Sequence, residues 1–510
     1  MRNRIALLLL FLTVLVYGCR LGPSYQPPSV AVPDQWKESQ ETTQAPVFDS
    51  LWWEVFQDDT LSSLECQAIA NNPNLFIALD RVAEARAVAG VDRSALYPQL
   101  NLNPSYSNTG QLFKIFLPNN ATLLPATFPT IYRIHQLQYS LPLTMSYEVD
   151  LWGKLKGQYE SAIFQAQMQE DNLQVALLTL TTDLATNYFK LRAFDALLDT
   201  LSENLDLLKK NVQLVQSRFN KGLVSELDVV QAQQQLTDNE ATYLDTMRQR
   251  ALQEHAIAAL LGVAPIDLCL GKMPLVMAPP AVQPNLPSQV LLQRPDIRAA
   301  ERSMAAQHVL IGVAYASFFP SLHLTGTIGF LSPDIRQFLE WKSRLWSMGL
   351  NAAQPIFDAG YHEANLKLAY AQYYESLHSY EQTVLTALRE VEDALTNVEK
   401  QGQEYEKYVE SSTWASRQIH LATTRYTKGL SNYLTVLDSE RTKIQTDINR
   451  VNVLGLRYVA TIQLIKALGG SWSFSLETPL EQPGSCCQSA QGDDSCWPDI
   501  VEYDVSGHIL

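Results

Sequence analysis

The side chains that could perform covalent or acid-base chemistry are scattered along this chain of 510 residues. His362-Glu363 opens like a zinc-protease helix, but Leu366 stands where the second histidine would be. Neither a phosphate-cradling glycine loop nor a Gly-x-Ser-x-Gly nucleophile turn occurs. Five cysteines (Cys66, Cys269, Cys486, Cys487, Cys496) have neither zinc-ligand nor redox spacing, so no metal site, cofactor or enzyme activity is expected. Cys19 stands apart. Arg2 and Arg4 form a basic start, Ile5 to Val16 an apolar run, and Gly18 supplies the small residue a signal peptidase needs beside its cut.

Val16-Tyr17-Gly18-Cys19 resembles a bacterial lipoprotein signal, which implies lipidation of Cys19 and anchoring by buried acyl chains rather than by a spanning helix. Arg20, in place of an aspartate that would retain a lipoprotein at the inner membrane, favours the outer one. No later stretch has the uninterrupted apolar length of a transmembrane helix, so any further crossing must use strands. The formal net charge of −15 argues against nucleic acid and against a polybasic membrane surface.

What positions these groups is a duplicated plan. Of 25 prolines, none falls between Leu143 and Ala264 or between Ile356 and Thr478, so these windows read as helical. A shift of 207 places Arg218, Lys221, Gly222, Leu223, Leu227 and Val229 on Arg425, Lys428, Gly429, Leu430, Leu434 and Val436, and Leu261-Gly262 on Leu468-Gly469. A shift of 222 aligns Pro73, Pro98, Leu100 and Leu102 with Pro295, Pro320, Leu322 and Leu324. Leu201, Leu205, Leu208, Val212, Val215 and Phe219 form a heptad seam, matched by Tyr408, Ser412, Ala415, Ile419, Ala422 and Tyr426. Gly153 to Arg218 and Gly360 to Arg425 predict rods of about 100 Å, each turning back at a Lys-Gly pair.

Alternation predicts strands. Leu137, Tyr139, Leu141, Leu143, Met145, Tyr147 and Val149 alternate with mostly polar residues. Leu100, Leu102 and Tyr106 do so before them, and Leu322, Leu324, Ile328 and Phe330, then Trp346, Met348, Leu350 and Ala352, in the second half. A soluble half-buried sheet has the same period; the lipid anchor favours a membrane sheet. Four strands cannot close a barrel alone and open edges are not tolerated in hydrocarbon, so other copies of the chain must complete it.

Cys19-Arg-Leu-Gly-Pro-Ser-Tyr-Gln-Pro-Pro, Asp150-Leu-Trp-Gly-Lys154, Arg294-Pro-Asp-Ile-Arg-Ala-Ala-Glu301 and Phe318-Phe-Pro-Ser321 resemble the outer membrane factor (TolC-like) family. The likeness is to its lipoprotein branch serving resistance-nodulation-division efflux systems, and it spans roughly Gly22 to Trp472. It implies an α+β membrane protein, trimeric, whose twelve-stranded outer-membrane β-barrel (four strands per chain) is continuous with a long periplasmic α-helical barrel. The chain then divides into residues 1–18 as signal peptide, 19–60 as a lipid-anchored extended segment, and 61–270 and 291–476 as repeats joined by a linker at 271–290, while 477–510, rich in proline, glycine, serine and acid and without a counterpart in the repeat, reads as a cysteine-containing, disordered or disulfide-stitched tail. The function it implies is the exit duct of a tripartite pump. The partners would be a periplasmic adaptor, an inner-membrane transporter, outer-membrane lipid and small-molecule substrates.

By that resemblance Asp438 matches an acidic residue of the periplasmic constriction, where three copies would form a charged ring. Thr435 stands where some relatives carry a second aspartate, Asp228 is its repeat-equivalent, and Tyr426 matches a tyrosine that holds the closed state. Gly222, Leu223, Gly429 and Leu430 are the tips on which an adaptor hairpin would dock. The Arg294 to Glu301 block reads as structural, a helix start after Pro295, and Trp152 as an interface anchor. A duct for secreted protein or peptide shares the geometry, and a lipoprotein that merely spaces two membranes would need the heptads but not the strands.

Overall fold

A computed structural model describes residues 51–114, 131–275, 277–282 and 293–470, with 22, 23, 25, 26, 28, 33, 36 and 37 of the leading segment. Cys19, the signal segment and the tail cysteines lie outside the described residues. The chain divides into two compact units, one from Met1–Trp36, Phe76–Ala176 and Leu286–Glu390, the other from Lys37–Leu75, Leu177–Asn285 and Val391–Leu510.

The first unit carries the sheet. Its strands are β1 (Gln99–Leu102), β2 (Ser105–Lys114), β3 (Ile131–Val149), β4 (Ser321–Ser332) and β5 (Arg344–Ala353), all antiparallel. β1 and β2 pair with β3 in one continuous register, Leu100 opposite Met145 and Tyr106 opposite Tyr139. They are one strand of the expected four, interrupted where Pro104 has no N–H to donate. The order is β1/β2, β3, β4, β5, so both outer strands have an edge without a partner among the described residues.

The register sorts side chains by chemistry. Leu100 lies beside Met145, Leu143 beside Ile328, and Ile328 beside Trp346, with Met348 and Leu350 following on the same face. The opposite face carries Asn101, Thr144, Thr327 and Ser347 in the same rows. Leu100, Leu102, Tyr106, Ile328, Trp346 and Met348 are all exposed, which in water would make an apolar patch of unusual size.

Helices α1 (Asp59–Asn71), α2 (Pro73–Ser94), α3 (Lys154–Asn220), α4 (Glu226–Leu260), α5 (Pro295–Ala316), α6 (Tyr361–Thr427) and α7 (Tyr433–Ala467) complete the chain. The duplication holds residue for residue in the arms: α3 and α6 have 67 residues each, α4 and α7 35 each, α2 and α5 22 each. The window read as helical from Leu143 is helical only from Lys154, because β3 runs on to Val149. No helix among the described residues is long and apolar enough to cross a membrane.

In the first unit, α5 is fastened at its N-terminal end. Arg294 pairs with Asp296 and with Glu390 of α6, both at 2.7 Å, and Arg298 pairs with Asp171 of α3 at 2.9 Å. Ile297 then packs on Val384 and Ala387, and Ile311 and Ala314 pack on Ala369. The Arg294 to Glu301 block is thus structural, as its helix-start pattern predicts, and it also ties α5 to both long helices. Trp152 donates to the Pro320 carbonyl at 2.8 Å and rests on Phe319, joining the end of β3 to the start of β4.

The core of the second unit gathers Trp52, Trp53, Leu61, Leu184, Tyr188, Ile257, Leu261 and Ile462 from α1, α3, α4, α7 and the turn before α1. Each such side chain contributes about 1.5–3 kcal/mol when fully buried. Asp58 begins α1 by accepting from the amides of Thr60 and Leu61, and its other oxygen accepts from the Tyr188 hydroxyl at 2.6 Å. The described part of the linker is strapped down rather than loose. Asp195, fully buried, accepts from Arg250, Arg192 and the Met273 amide, and the two arginines donate onward to the Leu270 and Gly271 carbonyls.

Candidate functional site: the paired hairpin tips

The two helical hairpins end in the same local geometry for a readable reason. Gly222 and Gly429 adopt φ of 70° and 73°, which other L-residues enter only at a cost. Leu223 N donates to the Arg218 carbonyl at 3.0 Å and Gly222 N to that of Phe219 at 2.8 Å; Leu430 and Gly429 do the same to Arg425 (2.8 Å) and Tyr426 (3.0 Å). These crossed bonds satisfy carbonyls that a helix end leaves open. Three residues on, Ser225 accepts from the Leu227 amide and Asn432 from that of Thr435, starting the return helices.

Side chains at these tips do not follow the symmetry. Tyr426, Tyr433, Val436 and Leu437 of the second hairpin pack with Val215 and Ala232 of the first and with Ala422. Arg218 reaches across to the end of α6. Its guanidinium donates to the Tyr426 carbonyl at 3.0 Å and to the Thr427 carbonyl at 3.1 Å, and it lies 4.4 Å from the centre of the Tyr426 ring. A cation there satisfies open carbonyls, complements the negative helix end and stacks on an aromatic face. The Tyr426 and Tyr433 rings sit 5.6 Å apart.

Two acids shape the electrostatics. Glu440 is buried with both carboxylate oxygens lacking a partner, and burial pushes its pKa up to about 7. Tyr433 is pushed well above the usual phenol range, first by burial and then by the charges of Glu440, Tyr426 and Asp228. Among the residues singled out in the sequence, the structure brings Tyr426 into the packed cluster and places Asp228, half-buried, near enough to Tyr433 to act on its charge. Asp438 and Thr435 are exposed on α7, and the Thr435 hydroxyl donates to Asn432 at 3.0 Å as part of the helix start. The Tyr426 hydroxyl is buried without a hydrogen-bond partner among the described residues, where this tyrosine is held by its ring and carbonyl. Leu223 and Leu430, at the very tips, are both exposed.

Sequence reasoning missed the roles of Arg218, Tyr433 and Glu440. Arg218 was visible as a repeat-matched residue one turn before the Lys-Gly pair; nothing in the sequence told which of Arg218 and Arg425 would cap the other hairpin.

Two amphipathic outer strands whose edges find no partner among the described residues, and two long hairpins of equal length, are what one subunit of a multi-chain channel needs. The outer membrane efflux protein family model matches residues 65–263 and 286–470. The chain belongs to the outer membrane efflux protein family. Among its relatives are the toluene efflux pump outer membrane protein TtgI of Pseudomonas putida, 32% identical over 473 residues (91% of this chain, 98% of the relative), and the cation efflux system protein CusC of Escherichia coli O6:H1, 31% identical over 470 residues (89% and 96%). The structure of the outer-membrane channel OprN superposes with a TM-score of 0.81 at 29% identity, over 89% of this chain and 100% of that one. The open state of the Neisseria gonorrhoeae channel MtrE gives 0.76 at 26% identity, over 89% and 98%. This member of the outer membrane efflux protein family is therefore the outer-membrane exit duct of an efflux pump, and its four strands and two hairpins are one chain's share of a trimeric channel.

Proposed function

We propose that the protein works as a homotrimer that receives small-molecule substrates from a resistance-nodulation-division transporter through a periplasmic adaptor and conducts them outward without catalysis. The observation that carries this reading is the two-faced sheet: an apolar face, a polar face and two edges unmatched among the described residues, whose helices supply no membrane span. The driving force lies in the inner-membrane partner. Cys19, once acylated, holds each copy to the outer membrane.

In this reading the hairpin tips are the periplasmic gate. Three copies of Asp438 would ring the entrance and attract cations, with Asp228 and Thr435 on neighbouring turns and Tyr426 holding the two hairpins of one chain together. The exposed Gly222-Leu223 and Gly429-Leu430 turns offer apolar knobs for an adaptor hairpin.

The test is dye efflux in cells lacking the gene, complemented with wild type or Asp438→Ala. Wild type should restore efflux, and the variant should conduct with reduced sensitivity to divalent cations. Deletion without effect on dye efflux or drug tolerance would sink the small-molecule reading.

A further inference from the structure

Glu440 stands on α7 between two apolar clusters that join the hairpins. On the tip side Val436 and Leu437 pack with Val215 of α3, Ala232 of α4 and Ala422 of α6; on the other side Ile444 packs with Leu205 and Leu208 of α3 and Leu236 of α4. The residues before and after it fix the direction in which it faces. Ser439 accepts from Gln418 of α6 at 3.4 Å and Arg441 donates to Gln235 of α4 at 2.7 Å. Successive side chains on a helix lie about 100° apart, so Glu440 lies between these two bonds, 2% exposed, in the seam where the hairpins meet.

Nothing described in that seam answers its charge. Neither carboxylate oxygen has a hydrogen-bond partner among the described residues, and the Tyr426 hydroxyl is buried without one as well. The cations nearest in the fold are committed elsewhere: Arg218 of α3 to the Tyr426 and Thr427 carbonyls, Arg441 to Gln235, and Lys443 to Asp447 on its own helix. Lys209 and Lys210 of α3, Arg417, His420 and Arg425 of α6, and Asp438 of α7 are exposed. Asp228 of α4 and the phenols of Tyr426 and Tyr433 bring no positive charge.

A carboxyl group buried in this way fits its seat only with a proton on it. Removing the proton leaves a charge among apolar side chains, and parting the hairpins relieves that cost by admitting water. The same water would reach the Tyr426 hydroxyl. The proton therefore binds the packed tip better than the parted one, and by linkage it favours packing. In the parted form Glu440 would return to the ordinary glutamate range, near 4, whereas in the packed form burial raises it to about 7. As pH falls from 7 toward 4 the packed form gains up to about tenfold per pH unit in each chain; outside that window both forms carry the same charge and the balance is level.

We propose that Glu440 is a proton latch of the periplasmic tip: in its neutral form it lets the two hairpins of a chain close on each other, and in its ionised form it loosens them. The proposal rests on the reading of the tips as the gate, and it adds a control by acidity that is separate from the exposed Asp438.

The full-length protein would be followed from pH 5 to pH 8 in two ways. Amide exchange of segment 433–444, corrected for its intrinsic rate, reads the latch without requiring conduction, and leak conductance of the assembled channel in planar bilayers reads its effect on the gate. Wild type should lose protection by up to about tenfold per unit between pH 5 and pH 7 and hold level above, with the leak rising in step. Glu440→Gln, which keeps the shape and cannot ionise, should be as protected at pH 8 as at pH 5, and Asp438→Asn should keep the wild-type exchange profile. A level wild-type profile overturns the proposal even where a variant fails to assemble. So does a slope that survives Glu440→Gln, a slope abolished by Asp438→Asn, or a leak that stays level while exchange switches. Gene deletion without effect on dye efflux bears on the duct reading alone, so the two can fail separately.

Discussion

The two tip hairpins share a backbone and differ in what they bury. Phe219 is 38% exposed where its counterpart Tyr426 is 4%, and Val230 is 55% exposed where Leu437 is 2%. Arg218 caps the other hairpin, while its counterpart Arg425 is exposed. The turn chemistry is fixed by a few local residues and survives duplication, whereas the packing face depends on which neighbour each hairpin meets. One hairpin thus becomes the inner, packed member of the pair, and the other supplies the residue that holds it.

Arg218→Ala should have the largest effect. It removes two charge-assisted hydrogen bonds and a ring contact, about 2–3 kcal/mol together, and should raise amide exchange across 421–430 and increase leak conductance in bilayers. Arg425→Ala should move neither by more than about 0.5 kcal/mol. Equal effects would mean that the hairpins are interchangeable after all.

Glu440 sharpens the same contrast, because its counterpart Gln233 is exposed. Its folded pKa of about 7 lies above the ordinary glutamate range, so the folded form takes up a proton that the unfolded chain would not hold. The cost of burying the charge is present above pH 7 and is relieved as pH falls through 7 toward the ordinary range. Glu440→Gln should therefore stabilise the tip at alkaline pH by roughly 2 kcal/mol and flatten the rise in stability on acidification. Thermal melts of the assembled protein across that range would check it, with Gln233→Glu as the silent control.

Much of the fold was legible because its signals are periodic. Seven alternations announced β3, the heptads announced α3 and α6, and the proline-free windows bounded the hairpins, with the Leu143 boundary displaced because the last seven residues of β3, after Pro142, also lack proline. Asp438 and Thr435 were placed on the right helix by motif, but their exposure gives no sign of a role within one chain. Arg218 and Glu440 were not legible, since each acts through contacts some 200 residues away or through burial that no local pattern encodes. A charged residue on a heptad helix reads as solvated, and only packing says otherwise.

A smaller effect is expected at the turn glycines. A Cβ at Gly222 or Gly429 would meet nothing within 4 Å, so alanine there carries only the cost of positive φ, about 1 kcal/mol at either tip. Equal losses in paired melts of Gly222→Ala and Gly429→Ala would confirm that the turns are equivalent and that the asymmetry begins at the side chains. A much larger loss at one tip would place that tip against another surface in the assembly.

The smallest effect is expected from Tyr426→Phe. Its hydroxyl is buried without a partner among the described residues, so deleting it removes a desolvation cost and should leave stability unchanged or raised by up to about 1 kcal/mol. The ring, and with it the Arg218 contact, remains. Phe219→Tyr, at the exposed counterpart, should likewise be near neutral. If Tyr426→Phe instead destabilises the trimer or opens it to ions, the hydroxyl bonds to a neighbouring copy. The difference between the hairpins would then be completed between subunits, with Tyr426 linking closure of one chain's tip to closure of the next.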